Sequence, residues 1–79
     1  MAETKLDHLR EALAELEHIQ WMAWSKHLAQ SERLSADRVA TWETMWRPYS
    51  ELTEEQKDQD REWADRVLNI VRSAAIERL

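Results

Sequence analysis

The stretch TEEQKDQDREWADRVLNIVRSAA, residues 53–75, decides the fold class of this 79-residue chain. It opens with a capping box, in which Thr53 caps a helix and Gln56 reaches back to the Thr53 backbone. From Trp63 onward, apolar side chains recur at three- and four-residue steps. They form two rows: Trp63, Val67, Ile70 and Ala74 beside Ala64, Leu68, Val71, Ala75 and Leu79. The pattern predicts a helix from Glu54 nearly to Leu79, with an apolar face wider than one partner helix needs.

Two more helices are predicted upstream of this stretch. A long first helix, from about Thr4 to about Gln30, carries one stripe of regularly spaced side chains. The stripe is Leu6, Leu9, Leu13, Leu16, Gln20, Ala23 and His27, with Glu3 near the helix start. Ser35 is the expected N-cap of a short second helix over roughly Ala36 to Trp46. Pro48 ends that helix, because it pushes Arg47 toward extended geometry.

Composition supports an all-helical chain and excludes several classes of function. Glycine is absent, which argues against the tight turns of sheets and excludes every glycine-rich phosphate loop. Cysteine is also absent, which excludes disulfides and thiolate metal sites. The formal net charge is −5, and the chain lacks the basic stripe expected of a DNA-binding protein. No cofactor is expected.

These features predict one all-α domain over residues 1–79, a small three-helix bundle with helix 3 antiparallel to helix 1. The short helix 2 does not reach the leucine-rich start of helix 1 or the apolar end of helix 3. An apolar surface of that size usually meets another copy, so we expect a homodimer. The longest apolar run is too short to span a bilayer and no signal-peptide core follows Met1, so we expect a cytoplasmic protein that does not bind membranes.

Aromatic side chains are the most informative feature of the sequence, which has five tryptophans and one tyrosine. They are Trp21, Trp24, Trp42, Trp46, Trp63 and Tyr49. One interpretation is core packing, since indoles supply much buried area in a small domain. The other is a binding site, since indole faces stack on flat bases and on cations. The sequence alone leaves both interpretations open.

Titratable residues give no sign of catalysis. The three histidines show no metal-ligand pairing, and the carboxylates between Glu51 and Glu62 lie on the solvated opening turns of helix 3. The serines lack a nucleophile context, so we expect a protein that is not an enzyme. Asp60 and Arg61 have two interpretations: they form salt bridges, or Arg61 binds a phosphate or carboxylate beside an aromatic wall.

The run RPYSELTEEQKDQDR, residues 47–61, resembles the signature of the ryanodine-receptor-type (RyR) domain family. That signature reads roughly Pro-Tyr-x-x-Leu, an acidic capped turn, Lys and then Asp-Arg. The matching positions are Pro48, Tyr49, Leu52, Lys57, Asp60 and Arg61. An upstream His-x-x-Trp is matched by His18 and Trp21, so the resemblance spans about residues 18–68. The Gly-Trp-x-x-Gly segment of channel copies is missing, and the chain is more similar to short, free-standing bacterial and phage versions.

The resemblance implies a non-catalytic module that binds a small nucleotide-derived signal, such as a cyclic ADP-ribose-like molecule or a cyclic nucleotide. A phage protein that sequesters a host defence signal in the host cytoplasm would fit this description. The ligand-binding residues expected on this basis are His18, Trp21, Trp24, Trp46, Tyr49, Lys57 and Arg61. In this hypothesis indoles stack on adenine, Tyr49 bonds ribose or phosphate, and Lys57 or Arg61 neutralises phosphate. The alternative is a structural or adaptor protein whose aromatics are core and whose helix 3 face binds another protein.

Overall fold

The described part of the chain, residues 4–77 of a computed structural model, consists of three helices and no strand. Helix α1 spans Lys5–Ser31, helix α2 spans Ala36–Glu43 and helix α3 spans Glu54–Glu77, with one 3₁₀ turn at Tyr49–Glu51 before α3. Helices α1 and α3 pack together. The all-α, three-helix prediction is confirmed. The predicted roles of Glu3 and Leu79 at the chain ends lie outside the described residues.

Each helix begins at a side-chain cap. Thr4 and Asp7 form a reciprocal capping box at α1, with bonds of 3.0 and 3.2 Å. The Ser35 hydroxyl accepts the N–H of the third residue of α2 at 3.1 Å. Thr53 and Gln56 form a second box at α3, with bonds of 3.0 and 3.1 Å. The predicted starts of α2 and α3 are therefore confirmed, because caps act over three residues and are visible in the local sequence.

Helix α2 ends at Glu43, three residues before the predicted end at Trp46. Beyond Glu43 the backbone bonds tighten, and the Trp46 N–H donates to the Glu43 carbonyl at 3.3 Å. The Trp46 indole N–H meanwhile donates to Ser25 Oγ on α1 at 2.9 Å. The predicted end was wrong because it was located from Pro48 alone, and an anchor on another helix is not visible in local sequence.

The core is small and lies where α1, the 3₁₀ turn and α3 meet. It consists of Ala14, Tyr49, Leu52 and Ala64, with Leu13 packed against it. Ala14 and Ala64 are 0% and 1% exposed. Since the separation of packed helices depends on the side chains at their contact, this alanine pair lets α1 and α3 approach closely.

The leucine stripe predicted for α1 is not the buried row of that helix. The buried residues of α1 are Ala14, His18 and Ser25. About half of the surface of three stripe residues remains exposed: Leu6, Leu9 and Leu16. The molecule measures 51 × 31 × 14 Å. The exposed leucines of α1 and the exposed residues Val67, Ile70 and Val71 of α3 therefore lie on its surface.

We expect Ala14→Leu to lower the free energy of unfolding by about 1–3 kcal/mol, because the added methylenes overpack the α1–α3 contact. Ala12→Leu is the matched control, since Ala12 is exposed on the same helix and its replacement changes stability by about 0.5 kcal/mol or less. Urea-induced unfolding of the two variants measures the difference. Equal stability of the two variants would contradict the packing described here.

Candidate functional site

Arg61 binds three carboxylates and joins the start of α3 to α1. Its guanidinium makes a two-pronged contact with Glu11, through Nη2 at 2.6 Å and Nε at 2.9 Å. Nη1 donates to Glu54 at 2.8 Å and to Asp58 at 2.9 Å. The Arg61 side chain is only 14% exposed, and these hydrogen bonds, that of Glu11 foremost, raise its pKa. We call these four residues the Arg61 clamp.

Tyr49 and Lys57 lie against the Arg61 clamp. The Tyr49 hydroxyl donates to Glu11 Oε2 at 3.0 Å, and the residue is 8% exposed. Burial, reinforced by the bond to Glu11, raises the pKa of Tyr49 to about 12. Lys57 Nζ lies 5.4 Å from the centroid of the Tyr49 ring and 3.7 Å from a Glu54 carboxylate oxygen. Both residues therefore already have partners within the chain.

His18 connects α1 to the segment before the 3₁₀ turn and to α3. It is 3% exposed, and its Nε2 lies 2.7 Å from the Arg47 carbonyl oxygen. A carbonyl oxygen only accepts, so Nε2 is the donor. Nδ1 lies 3.4 Å from Asp60 Oδ2, an ion pair when the imidazole is protonated. Burial raises the pKa of Asp60, although the nearby His18 opposes the shift. His18 thus fixes the backbone of Arg47.

One cavity of about 200 Å³ lies between α1, α2 and α3, and we call it the indole cavity. It is lined by Glu17, His18, Trp21, Trp42, Met45, Leu52, Gln56, Gln59, Asp60 and Trp63. Trp21 and Trp42 meet edge to face, with centroids 6.0 Å apart and planes 78° apart. Trp21 also stacks on His18 at 6.0 Å. Trp24 does not line the cavity; it is 55% exposed and lies 5.8 Å from Trp42.

A second, more open cavity of about 390 Å³ lies along a different face of α1, and we call it the basic groove. It is lined by Glu15, Ile19, Met22, Lys26, Trp46, Arg47, Pro48 and Tyr49. Lys26 Nζ lies 5.9 Å from the centroid of the Trp46 ring, within the range of a cation–π contact. The groove therefore combines an indole with two cationic side chains and one carboxylate.

The structure distributes the seven residues predicted to bind a ligand over several places. His18 and Trp21 line the indole cavity, whereas Trp46 and Tyr49 line the basic groove. Lys57 and Arg61 are engaged at the clamp, and Trp24 is exposed beside Trp42. No indole belongs to the buried core, because Trp21, Trp42 and Trp46 are partly buried and Trp24 and Trp63 are exposed. None of the five indoles is therefore fully buried, whereas Tyr49 belongs to the core.

Sequence reasoning missed four residues that organise these cavities. They are Glu11, Ser25, Trp42 and Trp63. Glu11 and Ser25 each lie seven residues from His18, and a seven-residue spacing returns to the same face of a helix. That spacing was a usable signal. Trp42 and Trp63 were noted as aromatic, but nothing in their local sequence places them in one cavity.

Comparisons with known proteins leave the function to be argued from this geometry. No protein family model, curated protein or solved structure matches the chain. Within residues 4–77, no group of three or more His, Asp or Glu side chains is placed to hold a metal ion. Over the same part of the chain, no helix is both long and apolar enough to cross a membrane.

Because Tyr49 is the sole tyrosine, its ionisation can be followed alone by phenolate absorbance. We expect it to titrate near pH 12, above the value of about 10 for an exposed tyrosine. Because the pKa of Tyr49 is higher in the folded than in the unfolded state, the protonated phenol stabilises the fold. This contribution is fully present below pH ~10 and is lost as the pH rises through the folded-state pKa. Glu11→Gln should lower the Tyr49 pKa, because the charged acceptor is removed.

Tyr49→Phe provides the baseline for this titration, since it leaves no tyrosine in the chain. The protein must remain folded while Tyr49 titrates, which far-ultraviolet circular dichroism checks at each pH. Ionisation of folded wild-type Tyr49 near pH 10 would contradict the buried Tyr49–Glu11 contact.

Proposed function

We propose that this protein is a non-catalytic binding module for a small nucleotide-derived signal, of the cyclic ADP-ribose-like or cyclic nucleotide class. The observation that carries the proposal is the basic groove, in which Trp46, Lys26 and Arg47 line one open cavity. Bases stack on indole faces, and lysine and arginine bind phosphate as a point charge and as a planar fork. The groove thus offers one partner for each half of a nucleotide.

The groove is held in shape before any ligand arrives. The Trp46 indole N–H is fixed by Ser25 at 2.9 Å, and Ser25 itself is 0% exposed. The Arg47 carbonyl is fixed by buried His18 at 2.7 Å. Affinity is gained when a site loses little conformational freedom on binding. Groups that are fixed before binding support a ligand-binding site rather than an incidental cleft on the surface.

The residues shared with the RyR signature are assigned two roles in this proposal. Tyr49 supplies one wall of the groove, while Arg61 and Lys57 hold the 3₁₀ turn and α3 in place. His18 and Trp21 support Arg47 from the other side of the backbone, since Trp21 stacks on His18. Trp24 offers a further open indole face for a flat ligand.

The resemblance to short RyR domains of bacteria and phages supports the biological setting that we propose. A phage protein that sequesters a host defence signal would act in the host cytoplasm. Such a protein needs tight binding and no catalytic group, so a groove without a nucleophile and base is sufficient for it.

We further propose that α1 and α3 run antiparallel within each chain. The order of the contacts supports this arrangement: Arg10 pairs with Asp65 at 2.7 Å, and His18, eight residues later, lies 3.4 Å from Asp60. Residue numbers therefore increase along α1 in the direction in which they decrease along α3.

We also propose that two copies associate through the exposed apolar side of this helix pair. Its residues are Leu6, Leu9 and Leu16 on α1 and Trp63, Val67, Ile70 and Val71 on α3, which are 42–70% exposed. The α1 row and the α3 row lie on the same side of the helix pair. Leu13 of the α1 row lies one turn before Glu17, and Glu17 lines the same cavity as Trp63 of the α3 row. Domains usually bury such a side between two layers of secondary structure, and a second copy supplies the missing layer.

The alternative function, a structural or adaptor protein, draws on the same apolar side. A different protein would then occupy it, and the groove would bind nothing. The oligomeric state separates the alternatives, because a chain that is monomeric on its own leaves this side free for a different partner.

Titration of tryptophan fluorescence and melting temperature with a nucleotide panel tests the binding proposal. The panel consists of ADP-ribose, its cyclic forms, cyclic dinucleotides and linear mononucleotides. We expect one class to give a saturable change and a raised melting temperature, since a ligand that binds the folded state stabilises it. Arg47→Ala should weaken that binding about tenfold or more, the effect of losing a charge-assisted bond of roughly 1.5–3 kcal/mol.

Arg33→Ala serves as the matched control, because Arg33 is exposed and does not line the groove. Its affinity for the ligand should equal that of the wild type. A flat response to every member of the panel would sink the nucleotide proposal and favour the adaptor alternative.

Light scattering at micromolar concentration tests the dimer. We expect twice the chain mass for the wild type and a monomer for Ile70→Glu. The reason is that burying an unpaired charge in an apolar interface costs free energy and so weakens association. Ile19→Glu is the control: Ile19 is also half exposed but lines the groove, so that variant should stay dimeric. A monomeric wild type would exclude the homodimer.

A further inference from the structure

The indole cavity differs from the basic groove in its charge. Its ten lining residues include two carboxylates, Glu17 and Asp60, and neither lysine nor arginine. The other polar groups on its wall are His18 and two glutamine amides. A cavity with this lining repels phosphate and attracts a positive charge.

Three indoles line this cavity, one from each helix. Trp21 and Trp42 stand nearly perpendicular, at 78° with centroids 6.0 Å apart, and Trp63 contributes from α3. The ring faces of tryptophan attract cations more strongly than those of other aromatic residues. Trp63 already stacks with the guanidinium of Arg66, whose central carbon lies 4.5 Å from the ring centroid. This contact shows that one wall residue engages a cation in the resting protein.

Asp60 lies at the wall of the cavity and forms an ion pair with His18 only when the imidazole is protonated. Its side chain is 14% exposed, with 3.4 Å between Oδ2 and His18 Nδ1. Desolvation raises the pKa of Asp60, and Glu17 adds to the rise. Two carboxylates beside one cavity are stabilised by a cation placed between them.

We propose that the indole cavity binds an organic cation through a quaternary or trimethylated ammonium group. Such a group donates no hydrogen bond, so it is bound by ring faces and by carboxylate charge. A primary ammonium is strongly hydrated and would lose more on entering an aromatic box. The volume of about 200 Å³ is below the range of roughly 300–1,000 Å³ for whole drug-sized ligands, which fits a headgroup.

This site is a separate cavity from the proposed nucleotide site. The two cavities share no lining residue, and their charges suit ligands of opposite sign. Failure of either proposal therefore leaves the other intact.

Isothermal titration calorimetry with tetramethylammonium and choline, at ionic strength held constant with sodium chloride, tests the inference. The matched probe is 3,3-dimethylbutanol, the uncharged analogue in which carbon replaces the nitrogen of choline. We expect saturable binding of both cations and binding of the uncharged analogue weaker on the order of tenfold, the effect of a cation–π and charge contribution of this kind. Equal binding of choline and the uncharged analogue would overturn the proposal, because it would show an apolar cavity only.

Two pairs of variants localise the binding. Trp42→Leu should weaken choline binding about tenfold, whereas Trp24→Leu should not, since the two indoles are neighbours but only Trp42 lines the cavity. Glu17→Gln should likewise weaken binding, whereas Glu15→Gln, on the groove side of the same helix, should not. Equal effects within either pair would place the cation elsewhere and refute the assignment.

The trimethylammonium group has two sources, a free small molecule and a trimethylated lysine side chain. Titration with an acetylated, amidated trimethyllysine beside choline distinguishes them. Tighter binding of the lysine derivative points to a methylated protein, and tighter binding of choline points to a free metabolite. Absence of saturable binding with every cationic probe would overturn the proposal.

Discussion

The two-pronged ion pair between Glu11 and Arg61 is the contact on which the rest of the structure depends. It joins residues fifty positions apart, with its shortest distance at 2.6 Å, and the Tyr49 hydroxyl binds the same carboxylate. Helix α1, the 3₁₀ turn and α3 therefore meet at one side chain. Isolated surface ion pairs contribute little to stability. This pair is two-pronged and networked, and it borders a core too small to fix three elements without it.

The Arg61 clamp gives partners within the chain to charged residues that the sequence alone left open for ligand binding. Arg61 and Lys57 are occupied by carboxylates of the chain, and His18 is occupied by a backbone carbonyl. His18 holds the Arg47 backbone and Ser25 holds the Trp46 indole, so both groups are fixed from α1. The run from Pro48 to Arg61 is thus divided: Lys57 and Arg61 are engaged within the chain, whereas Pro48 and Tyr49 line the basic groove.

The thinness of the molecule has a related origin. The small alanine pair lets α1 and α3 approach closely, but it leaves larger apolar side chains at the edge of the contact, where they remain 42–70% exposed. No further element of the described residues 4–77 covers them. The same geometry opens two cavities on different faces of α1, one acidic and aromatic and one basic, because α1 is the element that both the connection and α3 pack against.

The sequence by itself determined the helical class and the starts of α2 and α3, because composition and caps act locally and leave a readable pattern. It misplaced the end of α2 at Trp46, and it identified the leucine stripe of α1 but not the buried row of Ala14, His18 and Ser25. Both rows of α1 recur at helical spacing, so periodicity cannot choose between them. Tertiary structure decided which row is buried. It also decided that Arg61 binds Glu11, because an ion pair forms between side chains that the fold brings close, whatever their separation in the sequence.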